Sequence, residues 1–502
     1  MAKSLEEGIA EKALAYVTAP PHDANDVIRF ASPDELIDAF SATVGLTFEA
    51  DAPGESDAEL LDAVDLVIRH SVHTSHPRFL NQNFAGPDPV SVVGDWLGAA
   101  LNTTGATFEA APVFTLMESA VLHKLGRIAG YVDEGSDPLP TLPPGLFCPG
   151  GSTATLYALQ LARHRHQPDV ATAGANGDRL TVFVSDAGHY AATKSAALLG
   201  LGSDAVIKVA SDEHGAMLVP ALDDAIAASR AAGDVPLAVI GTAGTTVTSA
   251  FDPLGPIADV CEREGLWLHV DGCYGGSGLF SPTHRHLLDG VERSDSFVWN
   301  LHKMMGMTQQ CTALLVRRPE QLAPCFAGKA DYLFQPDKLY ADYDSGDRTF
   351  QCARRVDVLK LWLAWKHHGD RGFAHRIDHA VQMADHTRAR IAASDGMFHP
   401  VAGVFTNVVF CWVPPHLRPL DSAIKHLEQL PDDIRSELHS LPPRIKSQMQ
   451  AEGTAMIGFQ PIQGTNTFRM LYMSSTVTEG DIDAILDRID DYGVAALTPT
   501  GA

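Results

Sequence analysis

Through the middle of the chain, short apolar runs alternate with longer segments of helical period. "LTVFVS" (180–185), "AVIKVA" (205–210), "PLAVIGTAG" (236–244) and "LWLHVDG" (266–272) are rich in β-branched residues and predict buried strands. Between them "GSTATLYALQLARHRH" (151–166), "GHYAATKSAALLGLG" (188–202) and "PLGPIADVCEREG" (253–265) predict helices. Strand and helix in regular order imply an α/β domain with a largely parallel sheet and helices on both faces. "DSFVWN" (295–300) and "CTALLV" (311–316) follow, close enough to pair locally. Helical patterning returns from about 355 to 394. Residues 1 to about 75 read as helical and acidic, with a loop at "EADAPGESD". After "SDGMFHPVAGV" the texture changes, and "NVVFCWV" and "TFRMLYMSS" predict strands of a smaller α+β domain. The expected division is an N-terminal helical segment (1–85), a large domain (86–395) and a C-terminal small domain (396–502). Residues 327–350 lack periodicity and are long for a loop, which suggests a lid.

At 502 residues and 45% hydrophobic content the chain can bury a sizeable core. A formal net charge of −25 argues against nucleic acid or an anionic membrane as the main partner, since phosphate surfaces need a basic face. It does not restrict a small substrate, which meets only its own pocket. The seven cysteines are scattered without a C-x-x-C pair, so neither a disulfide framework nor a zinc site is expected. The amino terminus has a charged amphipathic pattern rather than that of a signal peptide, and no run of about 18 apolar residues occurs. The expectation is a soluble cytoplasmic protein with no bound metal.

Within "SFVWNLHKMMGM" (296–307) a single lysine, Lys303, stands between His302 and two methionines. Lysine in apolar surroundings has a lowered pKa, and its neutral amine is a nucleophile for carbonyl groups. Taken alone, such a lysine is more simply one that buries its stem and keeps its head in water. "CPGGSTATLY" sets Gly150, Gly151 and Ser152 before a helix, where exposed N–H groups suit a phosphate, although a Gly pair there is usually only a turn. "HVDGCYGGSG" places Asp271 at the carboxyl end of a strand, the edge where open parallel sheets bind ligands; alone it would be a turn aspartate. His189 follows another strand and alone would be structural. "GTAGTTVTSAFDPL" ends a strand in small and hydroxyl residues, a polar lining. All fall at strand ends of one sheet. A strand-end Asp, a later Lys and a phosphate cup together fit pyridoxal 5′-phosphate, the carboxylate facing the pyridine nitrogen and the amine forming the Schiff base.

The motifs "HPRFLNQ", "EAAPVFTLME", "CPGGS", "HVDGCYGGS", "WNLHKMMG", "DYLFQPDK", "YDSGD", "QCARRVDVLKLWLAWK" and "TFRM" run from about 76 to 475. With them the sequence resembles the group II pyridoxal-phosphate-dependent amino acid decarboxylases, in the glutamate and cysteine sulfinate decarboxylase branch. The resemblance implies the aspartate aminotransferase-like fold (fold type I): a large domain with a mostly parallel seven-stranded sheet, a smaller C-terminal α+β domain and an N-terminal helical segment. It also implies a homodimer with active sites at the subunit interface. It makes Lys303 the Schiff-base lysine, Asp271 the pyridinium partner and His189 the imidazole stacked on the cofactor ring. Gly151, Ser152, Asn300 and His302 fall where the family contacts the phosphate, and Thr246 near the ring edge. Tyr332 matches the loop tyrosine that reprotonates the product carbon. Two positions depart from the family pattern: Leu301 where Pro is usual, and Cys273 where Ala is usual. Cys273 would lie against the ring.

For the substrate, Gln82 and Arg469 match the pair that grips the distal acid group in this branch, and an arginine fork suits carboxylate, sulfinate or sulfonate. Phe84 stands where the cysteine sulfinate enzymes tend to have Phe and the glutamate enzymes Ser. Thr104 is nearer the Ser of the sulfinate type, whereas Ala106 replaces an aromatic residue seen in both and opens space. The expectation is decarboxylation of a short acidic L-amino acid, cysteine sulfinate or aspartate before glutamate. Transamination, an aldehyde-forming reaction and a catalytically silent scaffold are the alternatives. Tyr332 speaks against the oxidative path, and the retained Lys303, Asp271 and His189 against a scaffold. A serine hydrolase fails because "GGSGL" (275–279) is not G-x-S-x-G, and H-E-x-x-H is absent.

Overall fold

The computed structural model describes residues 3–19, 26–51, 53–84, 86–328, 330, 335, 337–421 and 426–497. Tyr332, expected to act from the long loop, lies outside them. Among the described residues the strands are β1 (Phe79–Leu80), β2 (Gly145–Phe147), β3 (Leu180–Ser185), β4 (Val206–Val209), β5 (Val235–Thr242), β6 (Trp267–Asp271), β7 (Ser296–Asn300), β8 (Thr312–Val316), β9 (Phe398–Ala402), β10 (Asn407–Trp412), β11 (Met456–Ile462) and β12 (Thr465–Leu471). Two compact units result: Val90–Val381 with Ala402–Asn407, and Met1–Pro89 with Gln382–Val401 and Val408–Ala502.

The first unit holds a seven-stranded sheet in the order β2-β8-β7-β6-β5-β3-β4. The β3–β4, β3–β5, β5–β6 and β6–β7 pairs are parallel, and β8 runs antiparallel to both β7 and β2. The link from β7 to β8 is too short for a crossover, so the chain returns antiparallel. Alternate strand residues feed two cores. Val182, Val184, Ala238, Ile240 and Val298 pack with Ala154, Tyr157 and Leu161 of helix Gly151–His166. Val239, Leu268, Val270, Phe297 and Trp299 pack with Leu254, Ile257 and Ala258 of helix Leu254–Glu264. Each large side chain buried this way contributes about 1.5–3 kcal/mol, which is why these strands are largely apolar on both faces rather than alternating. Helix Leu254–Glu264 ends where Gly265 turns left-handed (φ 71°), aiming the chain into β6.

The register fixes where function can sit. Thr242 is opposite Asp271, and Asp271 opposite Val298, so the carboxyl ends of β5, β6 and β7 lie side by side. The segments after β3, β5, β6 and β7 therefore leave from one edge, as ligand sites in such sheets require.

The second unit holds a five-stranded sheet, β1-β11-β12-β10-β9. The amino-terminal segment supplies β1, parallel to β11, and Val27 N–H donates to Gly453 O at 2.8 Å. Its helices Leu5–Thr18, Pro33–Ser41 and Asp57–His70 each open on a serine capping box, Ser4 with Glu7, Ser32 with Glu35 and Ser56 with Glu59. Among the described residues no helix is long and apolar enough to cross a membrane.

Candidate active site

One cavity at the carboxyl edge of the seven-stranded sheet is lined by Gly151, Ser152, His189, Ala191, Thr242, Gly244, Thr246, Asp271, Cys273, Tyr274, Asn300 and Lys303. Eight of the residues singled out in the sequence are thus brought together from four loops and a helix end. The helix end is built by glycine. Gly150 adopts φ 94°, and no side-chain hydrogen bond caps helix Gly151–His166, which leaves the first-turn amides facing the cavity side. A Cβ on Gly151 would stand 2.3 Å from Cys273 Sγ and 3.1 Å from Asn300 Nδ2. Gly151→Ala is therefore expected to destabilise the protein and weaken cofactor retention, with Cys273→Ala in the same chain restoring part of both. Melting temperature and retained cofactor measure this, and an unperturbed single variant would contradict the packing.

Charge is laid out with one acid and one amine. Burial pushes the Asp271 carboxyl up, but the hydrogen bond from the Cys273 side chain and the charge of Lys303 outweigh it and hold it below its ordinary value; the Cys273 N–H also donates to Oδ1 at 3.1 Å. His189 is pushed down, mainly by burial, with Asp271 opposing, so its imidazole is neutral near pH 7. Its Nδ1 accepts the Ala191 N–H at 3.2 Å and its ring lies 4.1 Å from that of Tyr190. Burial and then Asp271 push the Cys273 thiol well up, so it is a neutral wall rather than a nucleophile. Asn300 Oδ1 accepts from Thr312 Oγ1 at 2.9 Å, and Lys303 N–H donates to Asn300 O at 3.2 Å, tying the lysine to the end of β7.

His302 is not among the lining residues. Its Nδ1 faces the backbone of Cys311, 3.1 Å from N and 2.9 Å from O. Burial takes its pKa down to about 4, the Cys311 bond opposing. Thr104 takes the Arg354 N–H at 3.0 Å, and the buried Ala106 accepts at its carbonyl from Ser345 N (3.1 Å) and Gly346 N (2.9 Å).

Sequence reasoning placed Thr242 only within a polar lining and passed over Tyr274 and Asp252. Thr242 Oγ1 lines the cavity and is buried without a hydrogen-bond partner among the described residues. Tyr274 Oη shares a short hydrogen bond with Thr406. Asp252 clamps the end of β5, accepting Thr242 N–H and Met217 N–H at 2.7 Å each and donating its own N–H to Thr242 O at 2.9 Å. Burial raises its pKa from 3.8 to about 7, its two amide donors opposing. A carboxyl whose folded pKa is raised binds its proton better folded than unfolded, so its contribution to stability falls as pH rises from about 4 to about 7. The melting temperature of wild type relative to Asp252→Asn should therefore drop between pH 5 and pH 7. A constant difference would show that Asp252 stays ionised throughout.

In the second unit Arg469 lies on β12, 8% exposed, with Nη2 donating to Asn81 O at 2.7 Å. That carbonyl precedes Gln82, which is exposed, and Phe84, whose ring packs 5.6 Å from Phe79. Lys446 Nζ reaches Asn81 Oδ1 at 3.1 Å, so two cations flank this turn.

The residues present fit pyridoxal phosphate. The uncapped helix end with Ser152 offers donors for a phosphate, the orphan Thr242 hydroxyl awaits a polar partner, and an amine and an ionised carboxyl share the cavity. The comparisons agree. Residues 44–413 match the family described as pyridoxal-dependent decarboxylase conserved domain. The chain is 44% identical over 453 residues to cysteine sulfinic acid decarboxylase of Homo sapiens, covering 89% of this chain and 88% of that protein. It is 41% identical over 452 residues to acidic amino acid decarboxylase GADL1 of Bos taurus, covering 89% and 84%. The crystal structure of mouse CSAD in apo form superposes with a TM-score of 0.88 at 39% identity, covering 97% of this chain and 98% of that one. With this match over most of its length, a sheet edge that gathers an amine, an acid and a phosphate cup, and the expected fold in place, the chain belongs to the pyridoxal-dependent decarboxylase family, whose cofactor is pyridoxal 5′-phosphate.

Proposed function

We propose that the protein decarboxylates a short acidic L-amino acid, cysteine sulfinate or aspartate, to the amine and CO₂. The observation that carries this reading is the 44% identity to cysteine sulfinic acid decarboxylase over 89% of the chain. The relative named for acidic amino acids supports the same class. Bound pyridoxal phosphate supplies a ring that takes up the electrons released when CO₂ leaves. In this assignment Lys303 holds the cofactor through Nζ, Asp271 holds a proton at its pyridine nitrogen, and His189 lies against its ring. Gly151, Ser152, Asn300 and His302 serve the phosphate, Thr246 and Cys273 the ring edge and face, and Tyr332 returns a proton to the product carbon. The cofactor-binding domain expected at 86–395 would hold every lining residue, all of which fall between 151 and 303.

Gln82, Phe84, Thr104 and Arg469 set substrate choice, with Arg469 reading the distal acid group as a planar two-point fork. Incubation with cysteine sulfinate, aspartate, cysteate and glutamate, with identification of the amine, tests the substrate class. Preference for glutamate or for an aromatic amino acid would overturn it. Arg469→Lys should cost more than conserved charge suggests, because the fork is lost. Phe84→Ser should shift kcat/KM toward glutamate by at most roughly 10- to 200-fold, the worth of one methylene in an apolar pocket.

A cytoplasmic homodimer completes the reading. Val93, Trp96, Leu97 and Leu101 of helix Pro89–Leu101 are 38–53% exposed, an apolar face that a second copy would cover. Six of the seven free thiols are buried, as suits a reducing compartment. Light scattering should return the mass of two chains.

A further inference from the structure

The amino-terminal edge of the seven-stranded sheet carries a second cavity. It has a volume of about 370 Å³, and its charged lining is Arg165, Arg293, Arg317 and Arg318 with Asp295 and Glu262. The topology gathers these cations. Asp295 directly precedes β7, and Arg317 and Arg318 directly follow β8, which returns antiparallel with Ser296 opposite Val316. Arg165 sits in the last turn of helix Gly151–His166. Strands β6 and β7 have five residues each, so roughly 16 Å separates this edge from the cofactor edge.

The charges do not balance. Asp295 Oδ2 already accepts the Leu268 N–H at 3.0 Å. Oδ1 alone faces three guanidiniums: Arg318 Nη2 at 2.9 Å, Arg165 Nη1 at 3.4 Å and Arg317 Nη2 at 3.7 Å. Arg293 is a different case, neutralised by Asp259 and Glu262 at 2.7 Å each. Three cations thus converge on one carboxylate, in a chain whose net charge is −25. Like charges held this close repel unless a further anion joins them. The fork is also held in place. The Arg165 guanidinium lies 5.0 Å over the ring of the buried Trp267, whereas the Arg317 and Arg318 side chains are 39% and 46% exposed and open the cavity to solvent. Each guanidinium has five N–H donors, far more than Asp295 uses.

We propose that this cavity binds a small molecule through a multiply charged phosphate-type oxyanion, held by Arg165, Arg317 and Arg318 at a site separate from the cofactor pocket. A cavity of this size suits a phosphorylated small molecule rather than a bare halide. Binding weakens with added salt, because two of the three cations are solvent-accessible.

The test uses the holoenzyme, so that the cofactor already fills its own phosphate cup. Titration calorimetry with inorganic phosphate, inorganic pyrophosphate and a nucleoside diphosphate is run at fixed ionic strength. Saturable binding is expected, tightest for the diphosphates, with affinity falling about tenfold for each guanidinium removed in Arg317→Gln/Arg318→Gln. Arg179→Gln, a surface arginine paired with Asp234 elsewhere, should bind as wild type does. A nucleoside diphosphate no tighter than pyrophosphate would mean that the anion alone is read. Should the double variant not fold, Arg317→Gln alone is read in the same way. Absence of saturable binding to wild type, or equal affinity in wild type and the arginine variants, overturns the proposal.

Discussion

Lys303→Ala is expected to yield a folded protein that holds no covalent cofactor and turns over at least about 10³-fold more slowly, a barrier increase of about 4 kcal/mol. The fold should survive because the turn around Lys303 is made by its backbone. Its N–H donates to Asn300 O at 3.2 Å, its carbonyl accepts from Gly306 N at 3.0 Å, and Gly306 takes the left-handed conformation at φ 73° that closes the turn. Met304 and Met305 on its carboxyl side are each 1% exposed and anchor the segment by packing. Deleting the side chain beyond Cβ leaves all of this in place and removes only the amine from the cavity. Borohydride reduction followed by peptide mass analysis gives a direct readout. In wild type the cofactor mass should appear on the peptide containing Lys303, and in the variant on none. A cofactor adduct on another lysine, or turnover near wild type, would take the assignment away from Lys303.

How much of this was legible in the chain depended on whether the signal was local. Strands β3 to β8 are short, mostly apolar runs flanked by turn residues, with Lys208 of the edge strand β4 the exposed exception, so each of the six is legible to within a residue or two at its ends. Strand β2 was not found. It has three residues, follows Pro143 and Pro144, and begins with Gly145, where a Cβ would lie 2.0 Å from Leu314 O. Its strand character comes from β8 beside it and not from its own composition. The two-residue β1 is hidden for the same reason, since only β11 makes Phe79 and Leu80 a strand. In the site, residues at strand ends next to glycine stood out, whereas Thr242 was legible only as one hydroxyl of a polar run and not as a residue with its own place in the cavity. Asp252 was passed over because an Asp before Pro253 reads as a turn, and only the fold shows its carboxylate clamping β5. The fit of Gly151 to Cys273 joins positions far apart in sequence and is visible only in space. Next to Lys303, the Nδ1 of His302 faces the backbone of Cys311, a contact that nothing in the local sequence signals.

Asp271→Asn is the second large effect, and it separates electronic from structural roles. An amide of the same shape can still accept the Cys273 N–H through its oxygen, so the turn after β6 should persist. What disappears is the negative charge. In wild type the Cys273 side chain and Lys303 together hold the carboxyl ionised against burial, and they keep it so through the whole neutral range. That fixed charge is what would let Asp271 hold a proton at the pyridine nitrogen of bound cofactor, as proposed. A neutral amide cannot do this, and it also leaves Lys303 and His189 facing a cavity without its anion. Cofactor affinity and kcat should therefore fall together, kcat by about 10²-fold or more, the scale seen when one preorganised electrostatic partner of a reacting group is lost. Raising the cofactor concentration should restore occupancy but not kcat. If kcat at full occupancy instead matched wild type, Asp271 would be an anchor for the cofactor and the proton at the ring nitrogen would have no part in the rate.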